Sequence, residues 1–280
     1  MGLRINTNLP SLVAQRNLRA TRFSLDKSLE RLSSGSRINN AGDDAAGLAV
    51  SESLRAQISG MNQSERNIQD GISVVQIAEG GLSEVSNILM RLRELGVQSA
   101  SDTVGPQERK YIYIEYQHLL DEIDRITHST NFNGVPLLAG NKNAFEIQIG
   151  AGNNPAIDRI NLFDPLSSDI NLVSLGINLS SVSDKLSAQS SLETVDQAIT
   201  SINSLRSEFG AIQNRLNSSL NNLMINRENL TSANSRIHDS DMAKEATELT
   251  KNNILMESGI SVLTQANSSL KSALSLLGGA

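Results

Sequence analysis

The sequence predicts a mainly α protein folded as an elongated helical hairpin, with a terminal coiled coil, a helical bundle and a small β-hairpin insert. Three observations carry this reading. Both ends bear four-three heptad stripes, the helical stretches are laid out almost as a palindrome, and a Pro-, Gly- and Asn-rich segment interrupts them once.

At the C-terminal end Leu249, Asn253, Met256, Ile260, Leu263, Asn267, Leu270, Leu274 and Leu277 fall on one helical seam. Such a stripe has to be buried against another helix, and asparagines in one of its rows favour a single register. The N-terminal end offers the partner. Leu18, Leu25, Leu29 and Leu32 repeat the spacing, after an out-of-phase patch of Ile5, Leu9 and Leu12 in which Pro10 sets the helix start. Residues 1 to 40 hold seven Arg or Lys against two acids, and residues 239 to 280 hold five acids against three Lys. Opposite imbalances favour the pairing, although exposed ion pairs contribute little each.

Inward from the ends, Ser33 to Asp44 breaks the periodicity with small and turn-forming residues and reads as a spoke. Asp43 and Asp44 then stand before a helix, where carboxylates act as N-terminal caps. The seam resumes through Leu54, Ile58, Met61, Glu65, Ile68, Ile72, Val75, Glu79, Leu82, Ser86, Leu89, Leu92 and Leu95. Gly60, Gly71, Gly80 and Gly81 weaken this long helix by about 1 kcal/mol each relative to Ala, so tertiary packing has to hold it. A break from Ser99 to Pro106 leads to a helix carrying Ile112, Tyr116, Leu119, Ile123 and Ile126. The segment from about 131 to 190 is the β insert, with alternating Phe145, Ile147 and Ile149 before a Gly152-Asn153-Asn154-Pro155 turn and Ile157, Ile160 and Leu162 beyond it. Helix returns at Leu192 and runs to about Ile237. The expected domains are therefore residues 1–44 with 241–280 as the terminal coiled coil, and 45–240 as the bundle with its insert.

Composition excludes several function classes. Aromatic residues make up 3% of the chain, with no Trp, and the net charge is −6, so no basic stacking surface for nucleic acid is expected. Cysteine is absent, which removes disulfides and thiolate metal sites. No run approaches the roughly 20 apolar residues of a membrane helix, so no membrane insertion is expected. His118, His128 and His238 do not form a His-Glu-x-x-His motif, and neither a Gly-x-Ser-x-Gly elbow nor a phosphate-binding loop occurs. No enzyme activity, cofactor or metal is expected.

The chain resembles bacterial flagellin. The matching words include Ala14-Gln15-Arg16-Asn17-Leu18, Leu32-Ser33-Ser34-Gly35-Ser36-Arg37-Ile38-Asn39, Ala41-Gly42-Asp43-Asp44-Ala45-Ala46-Gly47, Arg91-Leu92-Arg93-Glu94-Leu95 and Asn131-Phe132-Asn133-Gly134. In the C-terminal half they are Gly210-Ala211-Ile212-Gln213-Asn214-Arg215-Leu216, Ser235-Arg236-Ile237 and Ser261-Val262-Leu263-Thr264-Gln265-Ala266-Asn267. The resemblance implies a short-form structural subunit of the extracellular flagellar filament, exported unfolded by the flagellar type III system and polymerising with other copies of itself. It implies an export chaperone, a filament cap and hook-associated proteins as partners. It makes Leu18, Leu25, Leu29, Leu32, Leu249, Met256, Ile260, Leu263, Leu270, Leu274 and Leu277 the coiled-coil and subunit-interface residues. It also implies a contact for the animal toll-like receptor at Arg91, Leu95 and Glu115, beside Met90 where many recognised flagellins carry Gln. A hook-filament junction protein shares these ends and is the alternative. The Ser34-to-Asn39 and Arg236-to-Ala243 words favour the filament subunit.

Overall fold

The structure is a computed structural model and describes residues 7–139, 145–162, 170–178 and 180–277, with side chains up to residue 269. Ile5, Pro165 and the last three residues lie outside the described set, as do the side chains of Leu270, Leu274 and Leu277. In chain order the described elements are α1 (Leu9–Ser34), α2 (Ala45–Ala100), α3 (Pro106–Ser129), β1 (Asn131–Phe132), β2 (Val135–Pro136), β3 (Glu146–Gln148), α4 (Pro155–Asp158), β4 (Arg159–Asn161), α5 (Lys185–His238) and α6 (Met242–Leu277). The chain divides into two compact units, Met1–Ala56 with Asn229–Ala280, and Gln57–Glu228. Expected boundaries at 44/45 and 240/241 coincide with helix ends, whereas the units divide within α2 and α5. The first turns of α2 and the last of α5 belong to the terminal unit, where Ser51 Oγ and Asn234 Oδ1 hydrogen-bond at 2.7 Å.

In the terminal unit α1 begins where Asn8 Oδ1 accepts from the Ser11 N–H at 3.1 Å, with Pro10 in the first turn, where a missing N–H costs nothing. It ends at Gly35, whose φ of 72° is the left-handed conformation that lets its N–H reach the Arg31 carbonyl. Helix α6 starts on Asp241, whose Oδ1 accepts from the N–H groups of Ala243 and Lys244. The two helices pack antiparallel, as three contacts fix: the Asn8 amide donates to the Ala266 carbonyl at 3.1 Å, Leu18 lies on Gly259, and Arg31 pairs with Glu245 at 3.0 Å.

The second unit is organised around α2. Its Ile68, Val75, Leu82, Leu89 and Leu92 are buried with Ile112, Tyr116 and Ile123 of α3, Val195, Ile202 and Phe209 of α5, and Ile147 and Ile160 of the insert. A second α2 row, Gly71, Val74, Ala78, Val85 and Leu95, is buried too, so this helix buries an arc wider than one seam. Ion pairs Arg93–Asp196 at 2.6 Å and Arg227–Glu65 tie it to α5. Arg109 closes the α2–α3 turn, donating to the Ser99 and Ser101 carbonyls.

The insert holds two short antiparallel hairpins, β1–β2 and β3–β4. Asn133 and Gly134, with φ of 50° and 79°, make the tight turn of the first. The second has the Phe145–Ile149 segment and its Asn154-Pro155 turn where the alternation placed them, with Ile147 paired to Ile160. Helix α5 starts at Lys185, earlier than the Leu192 start read from the sequence. Its first turns are buried through Ala188 and Ser191, small residues that leave no apolar stripe to detect.

The α2 glycines divide by surroundings. A Cβ at Gly81 would lie 2.8 Å from Thr130 Oγ1 and 2.9 Å from Leu138 Cδ1, whereas one at Gly80 meets nothing within 4 Å. Gly80→Ala is expected to stabilise the chain by about 1 kcal/mol through helix propensity. Gly81→Val is expected to destabilise it by about 1–3 kcal/mol through overpacking. Urea unfolding of the two variants measures the opposite signs.

Candidate functional site

Among the described residues, the terminal pair leaves many of its large apolar side chains uncovered. On α1 the inward row is Ser11, Ala14, Leu18, Thr21, Leu25, Ser28 and Leu32, a strict heptad in which leucine alternates with small residues. On α6 it is Glu245, Leu249, Asn252, Met256, Gly259, Leu263 and Ala266, again large against small. Carrying the register of the three fixed contacts along the pair sets Leu25 level with Asn252, Thr21 with Met256 and Ala14 with Leu263. Each of these layers, like that of Leu18 on Gly259, holds one large and one small side chain, which lets the backbones approach closely.

This arrangement places the expected residues as follows. Leu18, Leu25, Leu32, Leu249, Met256 and Leu263 are half-buried in the seam. Leu29 and Ile260 point away from it, 48% and 53% exposed. The inward α6 row is Asn252, Gly259 and Ala266, one residue before the expected Asn253, Ile260 and Asn267, because the leucines of α1 need a small residue opposite them. Leu270, Leu274 and Leu277 fall on the last turns of α6, whose side chains are outside the described set. Reading by large apolar residues missed Asn8, Asn252, Gly259 and Ala266. Their signal was a row of small residues three or four positions from each leucine.

Leu29 and Ile260 join a broader exposed set. Phe23 on α1 is 71% exposed, and Leu9, Leu12, Ile254, Leu255 and Val262 also face outward. Exposed apolar side chains in this number are a feature that interaction surfaces share.

Below the pair the two connectors are stitched together. Ser36 and Asp239 form an antiparallel bridge, Arg37 N–H donates to the His238 carbonyl at 2.7 Å, and Ser240 N–H to the Gly35 carbonyl at 2.9 Å. Asp44 caps α2 by accepting from the Gly47 N–H at 2.8 Å. Asp43 does a different job from the expected cap. Its carboxylate pairs with Lys27 at 2.6 Å and accepts from the N–H groups of Asn39 and Asn40, locking the spoke to α1.

In the second unit, Arg91 lies between Glu94 and Glu115, at 2.9 and 2.8 Å, and these carboxylates push its pKa further up, Glu94 most. Arg91 and Glu115 are exposed, with Met90 beside them. Leu95, expected both on the α2 seam and at the receptor contact, is 1% exposed and part of the bundle core. Among the described residues no group of three or more His, Asp or Glu side chains could hold a metal ion, and no helix is long and apolar enough to cross a membrane.

The family described as the bacterial flagellin N-terminal helical region matches residues 5–143, and the bacterial flagellin C-terminal helical region matches residues 192–277. The chain belongs to the bacterial flagellin family. It is 43% identical over 273 residues to a flagellin of Halalkalibacterium halodurans, covering 98% of this chain and 99% of that one. It is 42% identical over 284 residues to a flagellar filament 33 kDa core protein of Treponema phagedenis, with the same coverage. The crystal structure of Bacillus cereus flagellin superposes with a TM-score of 0.50 at 34% identity, covering 56% of this chain and 88% of that one. This is a family of structural proteins, not enzymes, and the chain is a component of the flagellar filament.

The Asp43 carboxyl is held down to about 2, from an ordinary 3.8, by the Lys27 ammonium first and then by the backbone N–H groups of Asn40 and Asn39. A carboxyl lowered in the folded state contributes stability that is present above its ordinary pKa and lost as pH falls through its folded value. The melting temperature is therefore expected to fall between about pH 4 and about pH 2. In Asp43→Asn that fall should be shallower, as pH-resolved thermal melts can show.

Proposed function

We propose that this chain builds the flagellar filament through its paired ends, with the α1/α6 pair forming the filament core. The carrying observation is the combination found on α1 and α6: a narrow inner seam that closes the subunit, and an outer face that leaves Phe23, Leu29, Ile254 and Ile260 uncovered. A narrow helix with only a stripe of apolar residues is marginal in water, so these ends complete their folding when neighbouring copies cover that face. The contact is head-to-tail and does not close, the symmetry that produces a helical polymer.

Assembly outside the cell then follows export of the unfolded chain through the flagellar type III system, with a chaperone shielding the exposed apolar face of α6 beforehand. Filament cap and hook-associated proteins act at the two ends of the polymer. The filament subunit is favoured over a hook-filament junction protein by identities above 40% along nearly the whole chain to proteins named as flagellin and filament core protein. For the host toll-like receptor, the surface offered is the exposed Met90, Arg91 and Glu115 face, with Leu95 supporting it from beneath. Arg91→Ala should lower activation of receptor-bearing reporter cells while leaving filaments intact. Equal activation would remove this contact.

Deleting residues 241–280 is expected to abolish filaments in electron micrographs while the second unit stays helical by circular dichroism. Leu263→Asp places an unpaired charge in the seam at a cost of about 2 kcal/mol per subunit. That corresponds to an increase of about thirtyfold in the concentration needed for assembly. Filaments formed by the truncated chain, or an unchanged critical concentration for Leu263→Asp, would refute this assignment of the seam. Wild-type protein that forms only short caps would favour the junction protein.

A further inference from the structure

The first hairpin of the insert carries the chain's single Asn-Gly step, Asn133-Gly134, at its two-residue tip. Both residues are exposed, with φ of 50° and 79°, and the Asn133 side chain makes no hydrogen bond among the described residues. The Gly134 N–H enters no backbone hydrogen bond either, and nothing lies within 4 Å of where a Cβ would stand on Gly134. An unbonded carboxamide followed by an unbonded amide nitrogen, with no side chain to hinder approach, is the arrangement in which an asparagine cyclises onto its own backbone.

Asp70-Gly71 shows the contrasting, protected case. Gly71 is buried in α2, its N–H is spent in the helical ladder, and Ile147 Cγ1 comes within 3.2 Å of where its Cβ would stand. At Asn133 cyclisation needs only rotation of the local backbone, which the pairs Phe132–Val135 and Asn131–Pro136 resist. Strands of two residues hold a hairpin weakly, so the tip opens at low cost. Its base stays tied, by the Leu137 N–H donating to the Thr130 carbonyl at 3.0 Å and by Thr130 and Leu138 packing at Gly81.

We propose that Asn133 is a spontaneous modification site, deamidating through a succinimide to aspartate and isoaspartate. The Gly134 nitrogen gives its proton to hydroxide and bonds to the side-chain carbonyl carbon of Asn133, whose bond to Nδ2 breaks as ammonia leaves. Water then opens the ring. Addition at the side-chain carbonyl restores the ordinary backbone and leaves an aspartate; addition at the main-chain carbonyl routes the backbone through the side chain as isoaspartate. Either product adds a negative charge. Aspartate keeps the turn, because Asp-Gly suits it as Asn-Gly does. Isoaspartate lengthens the main chain within the tip and breaks the Phe132–Val135 register.

The test is incubation of the purified full-length chain at mildly alkaline pH, digestion with trypsin at slightly acidic pH, and mass spectrometry of the tryptic peptide 126–142. The expected result is the amide-to-acid mass gain at Asn133, rising with hydroxide concentration, with isoaspartate told from aspartate by electron-transfer fragmentation. Asn131, which precedes Phe132, is the control within the same peptide and should remain an amide. Gly134→Ala puts a Cβ at a φ of 79°, which loosens the hairpin but shields the nitrogen, so the product should be lost despite the looser turn. Asn133→Asp should melt with the unaged wild type, and the isoaspartate fraction separated by ion exchange should melt lower. An unmodified Asn133, or Asn131 modified at the same rate, would overturn the site. Faster deamidation in Gly134→Ala would overturn the role of the unshielded nitrogen, and an isoaspartate fraction that melts with wild type would overturn the effect on the hairpin.

Discussion

The pairing of large against small side chains between α1 and α6 is the constraint on which the terminal unit depends. Leu18 can sit on α6 only because position 259 is glycine, where an added Cβ would come within 2.7 Å of Leu18 Cδ2. The same close approach lets the short Asn8 side chain cap its own helix and still reach the Ala266 carbonyl. Joining the two ends of a flexible chain across some 250 residues costs about 5 kcal/mol in loop-closure entropy. A seam of half-buried leucines offsets that poorly alone. The stitched connectors, with their Ser36–Asp239 bridge and the Lys27–Asp43 pair, supply fixed backbone geometry from which the seam can propagate.

A seam this narrow suits a polymerising subunit. Were the inward rows of α1 and α6 buried within one chain as completely as Ile68, Val75 and Leu82 of α2 are, less apolar surface would remain for a neighbour to bury. The two units thus follow different rules. In the bundle, α2 buries two rows and holds Ile68, Val75 and Leu82 entirely away from solvent. In the terminal unit, Leu18 and Met256 remain half-exposed and Phe23 faces outward, so apolar surface is left uncovered within the chain. Specificity of register comes instead from polar devices: the Asn8 amide, the Arg31–Glu245 pair and Asn252 in the inward row.

The same principle explains how the bundle accommodates its insert. Glycines in α2 would weaken an isolated helix, but at Gly71 the β3 residue Ile147 comes within 3.2 Å of where a Cβ would stand, and at Gly96 Leu192 of α5 comes within 2.9 Å. These positions exchange helix propensity for close contact. Tyr116 extends the anchoring by donating its buried hydroxyl to Ser180, and Ser99 does so by donating to the Val182 carbonyl.

Much of this architecture was legible in the sequence because heptad spacing is a local signal. The stripes on α1, α2, α3 and α5, the breaks at Ser99 to Pro106 and Ser33 to Asp44, and the hairpin around Asn154-Pro155 all follow from side-chain periodicity and turn chemistry along a few residues. The words shared with flagellins carried the family in the same way. Which of two adjacent rows of α6 turns inward was not local, since Ile260 is the more apolar residue and Gly259 carries no side chain at all. Only the partner helix decides it, through the space Leu18 needs. The early start of α5 on Ala188 and Ser191 shares that reason: it depends on what another segment, distant in the chain, brings against it.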